Sequence, residues 1–251
     1  MTKTIIHIFT ISLLFACATS DSNKSNSKNH FKQLDTSVSV SGYWLSEDYY
    51  QSIQNFKSPK KSQDGSEFIF IPGRTLQQTT MIYNFHEGGP LLKVLKNNKN
   101  YELWEVVDDS LTQKLYTIEE ISPTQIKLGK KVFYKINIEK YQDTYKILET
   151  LLFKGKYTTA GGKTVEFKAN GQLLGLDTFT CYEPIIDYFD AGMQVDQIGL
   201  GNSPEKLTWY GFTFNRDTLS LYKLNCLTFD STMNDCVEVD YGQLAYKLWT
   251  K

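Results

Sequence analysis

The sequence predicts a mainly β protein made of two successive sets of antiparallel strands. Three observations carry this. From Glu67 onward the dominant pattern is alternation of apolar and polar residues in short runs, the period of a half-buried strand. Turn-forming residues interrupt those runs at close intervals. The 16 Tyr and 15 Phe residues supply the bulky side chains from which strand faces are built.

In the first set, residues 67–71, 77–85, 101–107 and 131–136 read as strands, with Met81, Tyr83 and Phe85 on one face. Gly88-Gly89-Pro90, Asn97-Asn98 and Gly129 read as the turns between them. The second set begins near Gly155. It continues through 164–168, the hairpin turn Asn170-Gly171 and 172–176, then 194–200, 207–214, 218–227 and 242–249, with Asn215-Arg216-Asp217 as a further turn.

Two helices are expected. Ser46 can cap a short one, with Glu47 and Asp48 in its first turn, Tyr49, Ile53 and Phe56 on one face, and an end before Pro59. The other links the strand sets, because Tyr145, Leu148 and Leu152 fall at helical spacing. The expected organisation is therefore a leader at 1–16, a tether at 17–38, a β-rich domain at 39–139, a linking helix at 140–152 and a second β-rich domain at 153–251.

The N-terminus reads as an export signal. Lys3 gives a positive start, and residues 5–16 form an apolar stretch too short for a bilayer-spanning helix, which needs about 20 residues. Leu14-Phe15-Ala16-Cys17 ends the stretch and resembles the lipobox of bacterial lipoproteins, with Phe15 where that motif usually has a smaller or more polar residue. The resemblance implies cleavage after Ala16, diacylglycerol on the Cys17 thiol, and a protein held at the membrane of the cell envelope. Acyl anchoring gains about 0.8 kcal/mol per buried methylene, so several chains hold firmly. The alternative is an ordinary secretory site at Ala16-Cys17-Ala18, by which Cys17 is lost and the protein is freely secreted. Residues 19–32, rich in Ser, Asn and Lys, suit a solvated tether.

Cysteine usage agrees with export. Of Cys181, Cys226 and Cys236, the last two flank a turn-rich segment, and a bridge between them is the preferred pairing in an oxidising compartment. Cys181 is then a buried odd thiol, or a partner for one of the other two.

Both strand sets open on a glycine motif, Gly42-Tyr43-Trp44 and Gly155-Lys156-Tyr157, followed by short hairpins. This resembles the lipocalin-like barrels found in bacterial lipoproteins. It implies two tandem closed or nearly closed antiparallel barrels, with the aromatic plugging one end of the core and room for one small apolar ligand. The equally open alternative is a barrel filled by its own aromatics. No Arg that would pack across the first tryptophan is recognisable near the last strand.

Several function classes are disfavoured. The net charge is −1, and residues 31–152 carry 15 basic and 15 acidic side chains against 9 and 12 in residues 153–251, so no clustered positive surface invites nucleic acid. Short basic groups such as Lys57/Lys60/Lys61 and Lys130/Lys131 read as solvated charges. His86 is the lone histidine beyond the leader and tether, which leaves neither a His-rich metal site nor a Ser-His-Asp arrangement. The acidic segment Glu183, Asp187, Asp190, Asp196 is the remaining candidate for calcium or acid/base chemistry, but its spacing matches no EF-hand, and it reads as a surface-exposed loop or irregular strand. Ala160-Gly161-Gly162-Lys163 precedes a strand, so it is no phosphate loop.

No catalytic residue, metal or cofactor is therefore expected. The expected function is a non-enzymatic envelope lipoprotein that binds a small apolar or amphipathic ligand in a barrel. Trp44, Tyr49, Ile53, Phe56, Met81, Tyr83 and Phe85 are the candidate ligand-facing residues, and the helix from Ser46 to Phe56 would cover the barrel mouth. The alternative is a protein-interaction module, a scaffold or enzyme inhibitor, working through the Cys226–Cys236 and Glu183–Asp196 segments.

Overall fold

The computed structural model describes residues 36–85, 87–138, 146–188, 193–232 and 234–251. The leader, Cys17, most of the tether, His86, Asp190 and the first half of the expected linking helix, Tyr145 included, lie outside the described residues.

The first strand set closes into an eight-stranded barrel of sequential neighbours. Its strands are β1 (Gly42–Ser46), β2 (Glu67–Ile71), β3 (Gln78–Tyr83), β4 (Glu87–Asn97), β5 (Asn100–Val107), β6 (Ser110–Ser122), β7 (Gln125–Leu128) and β8 (Lys131–Ile136). Closure comes from β1 pairing with β8, in the register Tyr43↔Ile136, Trp44↔Lys135 and Leu45↔Tyr134. Period-2 alternation then decides which core each side chain joins. Trp44, Ile69, Ile71, Met81, Leu92, Val94, Leu103, Ile118 and Phe133 fill the inside. Trp44 is 1% exposed, its indole N–H donates to Val40 O at 2.9 Å, and the Lys135 ammonium lies 5.3 Å from its ring centroid. Gly42 sits at φ +129°, and a Cβ there would stand 2.9 Å from Lys135 Cε, so the glycine makes room for the cation over the ring.

One expected turn is instead strand. Gly88, Gly89 and Pro90 lie within β4, opposite β3, where the register slips between Thr80 and Ile82. The slip is a bulge, which tolerates a proline that cannot donate to the ladder. Gly89 is required there because a Cβ would lie 2.8 Å from both Met81 O and the Tyr83 ring. The chain actually turns at Asn84 and Phe85, both at positive φ.

The helix α1 (Glu47–Phe56) starts after Ser46, as expected, but the Ser46 hydroxyl donates to Gly65 O rather than capping the helix. Lys57 ends it in the left-handed region, and Ser58 caps the four-residue α2 (Pro59–Ser62) by accepting from Lys61 N at 3.2 Å. The helix α1 does not cover the barrel interior. Tyr49 and Ile53, both fully buried, pack with Tyr43, Leu45, Phe68 and Phe85, the outward-facing partners of the barrel residues. Phe85 thus leaves the face of Met81 and Tyr83, because it lies in the turn, and its ring meets Tyr49 edge-on at 4.9 Å. Phe56 corrects the expectation most clearly: it is 58% exposed. Its angular position matches Tyr49 and Ile53, but it stands in the last turn, where the chain reverses at Lys57.

That outer core is continuous with the core of the second sheet. The second sheet has eight strands: β9 (Gly155–Thr159), β10 (Thr164–Phe167), β11 (Leu173–Leu174), β12 (Cys181–Pro184), β13 (Gln197–Gly201), β14 (Leu207–Asn215), β15 (Thr218–Asp230) and β16 (Asp235–Thr250). Their order is β11-β10-β9-β16-β15-β14-β13-β12. The two ends meet through Leu173 N donating to Thr180 O at 2.9 Å and Tyr182 N donating to Gly171 O at 2.8 Å, which draws the sheet into a barrel-like form. Asn170-Gly171 turns as expected, with Gly171 at φ +80°.

A π-helical segment, Glu149–Phe153, leads into β9. Phe153 is fully buried, with Phe167, Tyr182, Phe212 and Phe214 rings at 5.0 to 5.9 Å, and burying such a ring contributes about 2–3 kcal/mol. One turn earlier the same segment buries a carboxyl. Glu149 is 0% exposed, neither of its oxygens has a hydrogen-bond partner, and Lys146 Nζ stands 3.5 Å from Oε1. Burial pushes this acid up to about 8, with Lys146 opposing the shift.

A raised acid pKa means that the folded chain holds a proton the unfolded chain has released, so stability declines as pH rises from about 4.5 to about 8. Thermal melts across that window should show the decline, and Glu149→Gln should flatten it and raise Tm at pH 8 by about 5 °C. A variant whose pH dependence parallels the parent's would show that Glu149 is not the titrating group.

Candidate functional site

The hairpin β15–β16 is longer than its neighbours. The β14–β15 ladder runs from Asn215↔Thr218 to Tyr210↔Lys223 and stops, while β16 meets β9 only at residues 248–250. The β15–β16 pairing continues through Leu224↔Tyr241, Cys226↔Val239 and Phe229↔Cys236 to Asp230↔Asp235. Beyond Lys223 the hairpin is therefore, among the described residues, a two-stranded arm, and residues 225–229 are consecutively exposed, on both faces.

Three local features shape the arm. The Cys226–Cys236 disulfide, with Cα atoms 5.8 Å apart, staples its strands. The register slips between Cys226 and Thr228 by one extra residue on β15, and between Thr228 and Phe229 by one extra residue on β16. These two compensating bulges fall at Leu227 and Val237, which are 54% and 43% exposed, beside Phe229 at 59%. At the base of the arm, Tyr241 and Leu224 cross over Gly211, whose Cβ would lie 2.7 Å from the Tyr241 ring, and the Tyr241 hydroxyl donates to Phe212 O at 3.1 Å.

Where β14 and β15 part, an apolar groove of about 550 Å³ opens. Trp209, Leu224, the disulfide, Val237 and Val239 form one part of its lining, and Ile185, Met193 and Gln197 the other. This is within the usual size range of ligand sites, roughly 300–1,000 Å³. The two segments singled out in the sequence, around Cys226–Cys236 and around Glu183–Asp196, thus meet at one groove. Trp209 carried no sequence signal beyond strand alternation; its role follows from the strand separation, which residue types do not announce.

The described part of the acidic segment is not an exposed loop: Glu183 lies in the strand β12, and Asp187 is half-buried. Ile186, Tyr188 and Val195 are buried, and Asp196 is 8% exposed. Asp196 Oδ1 accepts from Lys60 N at 2.8 Å at the start of α2, and the Lys60 ammonium donates to Met193 O at 2.7 Å. Burial pushes the Asp196 carboxyl up, and its bonds to Ser58 and Lys60 restrain that rise. It is a structural acceptor that ties α2 to the segment carrying the lining residues Met193 and Gln197. Among the described residues no group of three or more His, Cys, Asp and Glu is placed to hold a metal ion. Cys181 carries a free, half-buried thiol 3.3 Å from Gly201 O.

Of the expected ligand-facing residues, Trp44 and Met81 lie inside the first barrel, with Tyr83 packed against that core. Tyr49, Ile53 and Phe85 lie outside it, and Phe56 faces solvent. The structure does not bring the seven together.

The disulfide joins cysteines ten positions apart and contributes about 2–3 kcal/mol to the arm in the chain-entropy account. Limited proteolysis of Cys226→Ser/Cys236→Ser should give rapid cleavage within residues 227–235 while both sheets resist. Fragmentation elsewhere at the same rate would mean that the bridge supports the sheet as a whole.

Comparison with protein-family models, curated proteins and solved structures finds no match to this chain.

Proposed function

We propose that this chain is a non-enzymatic envelope lipoprotein, held at the membrane through Cys17, that works by binding at the groove beneath its stapled arm. The observation that carries this is the arm itself: Val237, which lines the apolar groove, and Leu227 and Phe229 on the same arm are large apolar side chains held in water. Folded chains seldom keep such a surface unless something docks on it. The Cys226–Cys236 bridge supports an oxidising compartment, and the apolar stretch ending at Cys17 supports the anchor.

The likeness to lipocalin-like barrels is supported by the sequential closure of β1 to β8 and by Lys135 of the last strand lying over Trp44 of the Gly-x-Trp motif. On this likeness, Lys135 stands in for the arginine that such barrels pack across the first tryptophan. The inside of that barrel is lined by Trp44, Met81, Leu92, Val94, Leu103 and Phe133, each at most 2% exposed, which favours surface binding over a ligand within it.

Two measurements test the reading. Metabolic labelling with an alkyne fatty acid should tag the native chain and not Cys17→Ala; a mature protein beginning at Thr19 would refute the anchor. The fluorescent probe bis-ANS should bind the oxidised protein at one site, with at least a tenfold loss in Val237→Ser/Val239→Ser, two residues of the groove lining. Equal binding by that variant would remove the groove as a binding face.

A further inference from the structure

Resting on that reading of the groove, we infer that its occupant is an extended cationic polypeptide segment, alternating basic and apolar residues, that adds as a strand to the open edge of β15. Three independent features define it.

The first is the backbone. From Leu224 to Asp230, β15 is hydrogen-bonded among the described residues to β16 on one side only, since the ladder with β14 has ended at Lys223. Edge N–H and C=O groups of this kind template another strand, and stable folds usually cover or charge such an edge. Seven residues of strand span about 23 Å, enough to seat a peptide of six or seven residues.

The second is the side-chain surface. A strand laid along this edge would place every second side chain toward the groove bordered by Trp209, Leu224, Val237 and Val239. Trp209 is 39% exposed, so an aromatic anchor is already at the surface.

The third is charge. Between Leu224 and Tyr246 the chain carries Asp230, Asp235, Glu238 and Asp240 and has no Lys or Arg. Glu238 and Asp240 flank Val239 on the partner strand, and Asp235 lies in the groove lining itself. The closest basic residues along β14 and β15 are Lys206, just before β14, and Lys223, at the foot of the arm. Four carboxylates on an arm with exposed apolar side chains complement a basic amphipathic segment, and the same charge repels an anionic lipid surface. The chemistry therefore selects a polypeptide rather than a bilayer, and the free edge selects an extended polypeptide rather than a helix.

The test uses the oxidised Cys17→Ala chain, which has no thiol to acylate, and a labelled seven-residue peptide alternating Lys and Val, read by fluorescence anisotropy at low salt. Micromolar binding is expected. It should weaken at least tenfold with Asp235→Asn/Glu238→Gln/Asp240→Asn, and also when alternate peptide amides are N-methylated, which removes the strand-edge hydrogen bonds but leaves charge and side chains. A peptide alternating Glu and Val should not bind. Equal binding of the Glu peptide, or undiminished binding of the N-methylated one, would overturn the inference, as would binding of the protein to vesicles of anionic phospholipid in place of the peptide. Failure of the peptide with bis-ANS still bound at the groove rejects the cationic strand alone. Failure of both rejects the groove. Circular dichroism of the triple variant, expected to match the parent, separates lost charge from lost fold.

Discussion

The constraint on which the functional account depends is a mismatch of strand lengths. The strands β15 and β16 run 13 and 16 residues, while β14 runs nine and leaves their ladder at Tyr210. A two-stranded ribbon with no third strand and no buried face is marginal by itself in water. The distal hairpin is therefore held by other means: the disulfide near its tip, and at its foot the Tyr241 and Leu224 side chains lying across Gly211. The same departure of β14 that strips the arm of a neighbour opens the groove beside Trp209. Arm, staple and groove are consequences of one topological event.

The remainder of the fold gives that arm a rigid base. Alternation along β1 and β2 sends Trp44, Ile69 and Ile71 into the first barrel and Tyr43, Leu45 and Phe68 outward, so one strand pair serves two cores. The outward set receives α1 and continues into the aromatic packing around Phe153. From there the buried Asp196 ties α2 to the segment entering β13, and the Lys60 ammonium on Met193 O reaches the groove lining. Buried hydrogen bonds of this kind fix geometry more than they add net stability. Here they hold α2 against the segment that carries Met193 and Gln197 of the groove lining.

Legibility in the sequence followed burial for some strands only. The strands β4 and β7 bury Leu92, Val94, Ile126 and Leu128 in alternation and were still missed, β4 because its Gly88-Gly89-Pro90 start reads as a turn and β7 because it is four residues long. Other strands with one buried face declared themselves by alternation: β2 and β8 begin and end where the pattern does. Strands without a buried face left no period to read, so β6, mostly exposed, and the arm half of β16 were missed. The Gly88-Gly89-Pro90 run was misleading because glycine and proline mark bulges as well as turns, and only the crowding of Gly89 by Tyr83 tells them apart. The disulfide was readable from spacing and compartment. That its loop meets the Glu183–Asp196 segment was not, because it depends on strand order across a sheet. Phe56 shows the limit of helical periodicity, which gives the angle of a side chain but not whether a wall stands opposite it.

The open edge is most directly measured by amide hydrogen exchange along β15, residue by residue, in the oxidised protein. If β15 leaves β14 at Lys223, amides within 218–223 are protected throughout, and those within 225–229 alternate between slow, where they face β16, and fast, where they face the groove. Uniform protection from Thr218 to Asp230 would mean that another strand already lies along that edge. The groove would then be closed, and the arm would present nothing to bind.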